Sequence, residues 1–275
     1  GRYVVAALLL WFVCFLLIRD PACFTRGGSS AASECYKRQI ELEDWIAPKE
    51  KATARKRALA LFETPQADDG VERILRINSM RECFGIEDVQ AILATDTPPP
   101  AVMMPKVRTP DEVVILDQLL AERGHATRLH VIIETNAALE AAYDIAHCSD
   151  RIDAMFFGGI DMAAELRCKN AWDQLFYARS RVVHAAASKS LDVIDVPFMD
   201  LDDIEGMSIA AQQARDLGFA GKGSIHPKQI AVLNEVFTPS AQAIDRARRI
   251  IQTFESGSYK PPRSHETVPE LVCRP

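Results

Sequence analysis

LHVIIETNAALEAAYDIAHCSDRIDAMFFGGIDM, residues 129–162, holds two short apolar runs that each end in an acid. LHVII closes on Glu134 and AMFFGGI closes on Asp161. Runs of this length, bounded by polar residues and separated by a helix-length segment, fit strands buried on both faces with a covering helix between them. The same alternation extends in both directions. Strand-like runs occur at QIELE (39–43), RILRIN (73–78), AVMMP (101–105), LHVIIE (129–134), AMFFG (154–158), LDVIDV (191–196) and GKGSI (221–225).

The intervening segments carry helix signals. Thr109 and Glu112 form a Thr-x-x-Glu capping box, Pro110 suits the first helical position, and Gly124 supplies a left-handed stop. Val113, Leu116, Leu119 and Leu120 form one apolar stripe on that helix. Pro48, Lys51 and Ala54 open another helix that runs to about Glu63, and Leu217-Gly218 closes one that begins near Asp202.

A strand-helix repeat with nearly continuous apolar strands predicts a parallel sheet covered by helices. Seven such units, with an eighth near the start, predict an α/β fold of the (β/α)8 TIM-barrel type. The rival, a doubly wound open sheet, lacks a Gly-x-Gly-x-x-Gly turn after any strand. The eighth strand should precede Gln39. Its candidates are the N-terminal apolar run and the stretch Ala22 to Thr25, so the first strand is atypical.

The length leaves two small domains or one large one open, and α/β barrels reach this size as a single domain. The chain has 275 residues, 48% of them hydrophobic and 25% charged, enough to bury a sizeable core. A net charge of −6 and no dense Lys/Arg block exclude a nucleic-acid footprint. The 7 cysteines are scattered, without a Cys-x-x-Cys pair, which points to reduced thiols in a cytoplasmic setting. No His-x-x-x-His spacing supports a zinc site. Tyr3 to Ile18 is an uncharged, mostly apolar run flanked by Arg2 and Arg19, slightly short of the ~20 residues of a membrane span. It is read as an anchor giving membrane contact through residues 3–18, or as a segment foreign to the working domain. The expected organisation is therefore an apolar segment at 1–20, a barrel domain at 21–254 and a tail at 255–275.

In a barrel the ends of parallel strands meet at one rim, where such folds keep their sites. Glu134 and Asp161 would stand there on neighbouring strands. Two close carboxylates repel unless a cation lies between them, and oxygen donors favour a hard ion such as Mg²⁺. The alternative is that each acid caps the helix that follows it. Arg76, interior in RIN, requires a carboxylate partner: Glu43, Asp44 or the carboxylate of a substrate gripped by two prongs. Glu43 and Asp44 close QIEL in the same way and add acids to the rim that would receive metal-bound water. Lys106 offers positive charge or is solvated, and His226 packs its own turn or transfers protons.

Taken in order, ELEDWIAPKEKATAR (41–55), RIN (76–78), MMPKV (103–107), IIET (132–135), FGGID (157–161) and GFAGKGSIHPKQIAVLNEVFTPS (218–240) resemble the superfamily of citrate lyase beta subunit, malyl-CoA lyase and HpcH/HpaI aldolase. The resemblance covers about residues 40–254. It implies a (β/α)8 barrel that assembles as a homo-oligomer, a trimer or hexamer. It implies Mg²⁺ on Glu134 and Asp161, with Arg76 on the carboxylate of a 2-oxo or 2-hydroxy acid. The expected substrate-binding residues are Arg76, Gly159, Ile160 and Asp161, and the expected catalytic residues are Arg76, Glu43 and Asp44, with the base left unassigned. The implied reaction is carbon–carbon cleavage of a 3-hydroxyacyl-CoA, of malyl-, citramalyl- or citryl-CoA type, to an acyl-CoA and a 2-oxo acid. A Mg²⁺-dependent pyruvate aldolase and a degenerate non-catalytic relative are the alternatives. The sequence departs from the family pattern at DPACFTRGGSSAASECYKR (20–38), where a CoA-binding opening is expected. Glu41 stands in place of an Asp, Trp45 in place of a small residue, and residues 255–275 in place of a lid that carries a catalytic Asp.

Overall fold

The structure is a computed structural model that describes residues 37–63 and 72–255. Its main unit, within residues 33–237, is built on seven parallel strands that pair in chain order. These are β1 (Lys37–Glu41), β2 (Glu72–Arg76), β3 (Ala101–Met104), β4 (Arg128–Ile133), β5 (Ile152–Phe157), β6 (Asp192–Asp195) and β7 (Gly221–Lys222). The helices that cover the sheet are α1 (Lys51–Glu63), α2 (Cys83–Ala94), α3 (Pro110–Glu122), α4 (Asn136–Glu140), α5 (Ala142–His147), α6 (Gly159–Leu166), α7 (Trp172–Ser188), α8 (Ile204–Leu217) and α9 (Ile230–Phe237).

Side-chain alternation along the strands separates two cores. Leu75, Val102, Leu129, Val131, Met155 and Val193 point outward and pack with the helices. Ile74, Ala101, Met103, Ile132, Ala154, Phe156 and Ile194 form a second cluster on the inner face of a curled, half-barrel sheet. Because both faces are covered, β3 and the runs Val131 to Ile133 of β4 and Ala154 to Phe157 of β5 are continuously apolar, as their sequences predicted.

The helix signals are realised. Glu112 accepts a hydrogen bond from the Thr109 N–H at 3.2 Å, Val113, Leu116 and Leu120 are buried, and Gly124 has a φ of 69°. Asp203 caps α8 by accepting from the Gly206 N–H at 2.8 Å, and Gly218 ends it at a φ of 111°.

Two differences from the expected boundaries bear on the rim. Strand β1 ends at Glu41, so Glu43 and Asp44 lie in the turn beyond it. Strand β7 has two residues because the chain after it folds on itself: the Ser224 hydroxyl donates to the His226 carbonyl at 2.9 Å, and the Ile225 N–H donates to Gln229 at 3.0 Å.

Buried charged groups tie strand tips to helices. The Lys51 ammonium, at the start of α1, donates to the carbonyls of Leu42 and Glu43, each at 3.1 Å, and to Asn78 beyond β2. Asp88 of α2 accepts from the Asn78 backbone at 2.8 Å and from Arg55 of α1 at 2.6 Å. On the other side of the sheet, Asp195 accepts from Arg179 of α7 at 2.9 Å and from Lys222 at 2.5 Å.

A second unit, within the described residues 238–255, is the helix α10 (Ala241–Glu255), whose Ser240 hydroxyl accepts from the Ala243 N–H at 3.1 Å. The candidate eighth strand, the apolar run at residues 3–18 and the tail from residue 256 lie outside the described residues. Among the described residues no helix is long and apolar enough to cross a membrane.

Candidate functional site

The parallel pairing of β4 with β5 brings the ends of both strands to one rim. Glu134 follows the last residue of β4 and is 4% exposed. Asp161 is not on a strand: it is the third residue of α6, which begins at Gly159, two residues past the end of β5. The capping alternative fails for Glu134. Thr135 occupies the cap position of α4, and its hydroxyl accepts from the Ala138 N–H at 3.1 Å. Asp161 lies inside its helix, whose cap position is Gly158.

Glu134 instead accepts a hydrogen bond from the Lys106 backbone N–H at 2.8 Å. Burial, reinforced by the charge of Asp161, pushes its carboxyl up to about 8. A carboxylate so poised is stabilised in its charged form by any cation placed beside it. Among the described residues no group of three or more His, Cys, Asp or Glu side chains gathers as a metal cage. Carboxylate oxygens from two residues suit a hard divalent ion that keeps part of its hydration shell.

Arg76 ends β2, directly opposite Glu41 in the β1–β2 register. Its Nε donates to Glu41 at 2.7 Å, and its Nη2 lies 3.3 Å from Glu43. Burial opposes the guanidinium charge, but Glu41 and Glu43 outweigh it and bind the proton more firmly than usual. Glu41 is itself fixed, accepting from Gln39 at 2.9 Å and from the Glu43 N–H at 2.5 Å. The expectation of Glu43 or Asp44 as the partner of Arg76 is therefore met in part. Glu43 takes one edge, Glu41 takes the Nε, and Asp44 pairs elsewhere.

That other partner is Lys106, after β3. Its ammonium is 2.7 Å from Glu43 and 2.9 Å from Asp44, so it is not a solvated rim lysine. The two acids respond differently. Burial raises Glu43 above the ordinary carboxylate range despite Arg76 and Lys106. Asp44 is also disfavoured by burial, but its hydrogen bond to Lys106 wins and holds it below that range. Lys106 has a φ of 51°, a left-handed conformation rare outside glycine, asparagine and aspartate.

The turn from β5 into α6 supplies backbone. Gly159 is buried, Ile160 is 48% exposed, and both stand at the N-terminal turn of α6. His226 accepts from the Lys228 N–H at 3.1 Å, a contact within its own turn. Trp45, beside Asp44, is 52% exposed.

Sequence reasoning missed Glu41 as an anchor, although residues 39, 41 and 43 share one face by alternation and point where Arg76 points. Lys51 was noticed only as a helix residue. A lysine just after an Ala-Pro entry, three turns before the buried Phe62, carries no sequence mark of its role.

Comparison with known proteins follows this geometry. Residues 32–227 match the family model described as HpcH/HpaI aldolase/citrate lyase. The chain is 32% identical over 269 residues to an L-malyl-CoA/beta-methylmalyl-CoA lyase of Cereibacter sphaeroides, covering 87% of this chain and 82% of the relative. The fold is similar to RipC of Yersinia pestis, with a TM-score of 0.70 and 35% identity, over 76% of this chain and 91% of that one. It is also similar to CitE of Mycobacterium tuberculosis, solved with magnesium, acetoacetate and coenzyme A, with a TM-score of 0.65 and 27% identity over 86% and 84% of the two chains. With a family match over most of its length and a relative above the 30% level, the chain belongs to the HpcH/HpaI aldolase/citrate lyase family.

Proposed function

We propose that the protein is a Mg²⁺-dependent carbon–carbon lyase that cleaves a 3-hydroxyacyl-CoA of malyl, citramalyl or citryl type into an acyl-CoA and a 2-oxo acid. The observation that carries this reading is Glu134: a nearly fully buried carboxyl, raised to about 8 by burial and by Asp161, at the rim where Arg76 also ends its strand. Buried carboxylates repel one another unless an ion compensates them. Glu134 and Asp161 would hold Mg²⁺, which supplies Lewis-acid stabilisation of developing negative charge on substrate oxygen. The magnesium present in the M. tuberculosis relative supports the same assignment.

Other groups at the rim take the remaining roles. Arg76, oriented by Glu41, grips the carboxylate of the 2-oxo or 2-hydroxy acid. The backbone N–H groups of Gly159 and Ile160 open α6 and orient anionic oxygen beside Asp161. Glu43 and Asp44 form a split pair: Glu43 is lifted toward proton binding, and Asp44 is held ionised by Lys106. Glu43 accepts the substrate hydroxyl proton as the carbon–carbon bond breaks, and the electron pair passes to the acyl-CoA half as an enolate. The inner-face residues Met103, Ile132, Phe156 and Ile194 keep water from below the site.

The same reading includes a lyase domain over residues 21–254, closure of the sheet by an eighth strand before Lys37, and assembly as a homotrimer or homohexamer in the cytoplasm. Free Cys83, Cys148 and Cys168 suit that reducing compartment. The test is incubation of the full chain with Mg²⁺ and malyl-, citramalyl- and citryl-CoA, following release of acyl-CoA. Turnover of at least one thioester that stops on chelation supports it. Failure with all three, joined by pyruvate-aldehyde condensation, would transfer the site to the aldolase alternative.

A further inference from the structure

Lys106 touches both halves of the site through different atoms. Its backbone N–H donates to Glu134 at 2.8 Å, while its ammonium lies 2.7 Å from Glu43 and 2.9 Å from Asp44. An extended residue after a strand sends its N–H and side chain in directions fixed by the pleat. Lys106 escapes that restriction through its φ of 51°, immediately after Pro105. A lysine adopts this conformation at a steric cost that surrounding contacts must overcome, and such residues concentrate at functional sites.

We propose that Lys106 is a positioning residue: its left-handed turn fixes the Glu134 carboxylate with the main chain, and its ammonium independently holds Glu43 and Asp44 at the working distance from Arg76. The proposal rests on the lyase reading for its catalytic consequence, but not for its geometry.

Two features mark a fixed strut. The ammonium is engaged by two carboxylates at once, which pins it between them. The two acids it joins come from the β1 tip, whereas the residue it orients through its N–H comes from the β4 tip. A single residue, through its main chain and its ammonium, thus spans the rim from one to the other. Without the ammonium, Glu43 and Asp44 would be adjacent acids with only Arg76 to restrain one of them.

The two functions separate by substitution. Lys106→Met removes the charge and keeps the N–H. Lys106→Gly does the same and also relaxes the backbone, so it stays folded if the methionine variant does not. Lys106→Arg keeps the charge. Mg²⁺ affinity of the full chain, measured by calorimetry, should stay within about threefold of wild type in the Met and Gly variants, because the N–H to Glu134 remains. Their kcat for thioester cleavage should fall roughly a hundredfold, with KM for the thioester changed much less, as expected for about 1 Å of misplacement. The arginine variant should recover part of that loss. Crystal structures of wild type and Lys106→Met supply a readout that needs no turnover: Glu134 unmoved, and the Glu43 and Asp44 carboxylates displaced by roughly 1 Å or more. Unmoved acids, or loss of Mg²⁺ affinity in step with loss of kcat, overturns the proposal. An inactive wild type would refute the lyase reading while the crystallographic comparison still decides the role of Lys106.

Discussion

Gly158 lies so close to Glu134 that a methyl group on its α-carbon would fall 2.5 Å from the Glu134 Cβ and closer still to one carboxylate oxygen. The backbone is not the reason for glycine here, since its φ of −92° is open to any residue. The requirement is space: the turn out of β5 packs directly on the side chain that ends β4. Gly158→Ala should therefore displace the Glu134 carboxylate, lower stability by about 1–3 kcal/mol and weaken Mg²⁺ binding. Thermal melting with and without Mg²⁺ measures both effects.

Glu134→Gln tests the charge without the shape. The amide oxygen can still accept from Lys106, and a neutral group is better suited to a site that raises a carboxyl to about 8. The metal-free variant should be at least as stable as wild type, while its Mg²⁺ affinity, read by calorimetry, drops by on the order of tenfold or more. Asp161→Ala should give the same loss of affinity with the sheet intact.

The pH dependence has a definite sign. In the folded, metal-free protein Glu134 holds its proton up to about 8, against 4.5 for the unperturbed group. Between those values the folded state binds more protons than the unfolded state, so this contribution to stability is complete below 4.5, declines as pH rises, and is gone above about 8. Mg²⁺ competes with that proton, so its affinity should rise over the same interval and level off above it. Denaturant midpoints at pH 6 and pH 9, with and without Mg²⁺, should therefore diverge, roughly as linkage requires.

Arg76→Lys keeps a positive charge but cannot keep its Nε on Glu41 while presenting a planar edge to an acid. The apparent KM for the acid or thioester should rise roughly tenfold or more, with a smaller change in kcat. Steady-state kinetics decides it, and a wild-type KM would remove Arg76 from substrate binding.

Lys51→Met strands two main-chain carbonyls and Asn78, all buried at the β1 and β2 tips. A loss of about 2–4 kcal/mol is expected, visible as a lower urea midpoint at an unchanged slope.

Much of this was legible in the sequence because it depends on local, periodic signals. The Thr109–Glu112 box, Gly124 and Gly218 act within one turn of chain, and the apolar runs of β3, β4 and β5 need only burial on both faces. An influence of Asp161 on Glu134 was expected from two strand ends one repeat apart, but Asp161 stands in the first turn of α6 and not on a strand. What escaped depends on long-range geometry. Whether Glu41 or Asp44 meets Arg76 turns on where β1 ends and which face each residue occupies. The cap at Thr135 rather than Glu134 is a matter of one residue in the strand-to-helix turn. The left-handed Lys106 has no compositional mark, because the contacts that hold it come from β1 and β4.

The strand order carries a consequence for how the protein reaches its working state. Since each stave hydrogen-bonds to the next in the chain, the sheet can grow progressively from any starting pair, with moderate loops at each step. The polar rim has no such gradual route: Arg76 needs the first ladder, Lys106 needs residues brought in by the first three, and Glu134 meets its acidic neighbour only once the fourth is laid down. Ligand capture during refolding should then arrive late and all at once, trailing the appearance of helical signal, and would serve as a reporter of the completed arc.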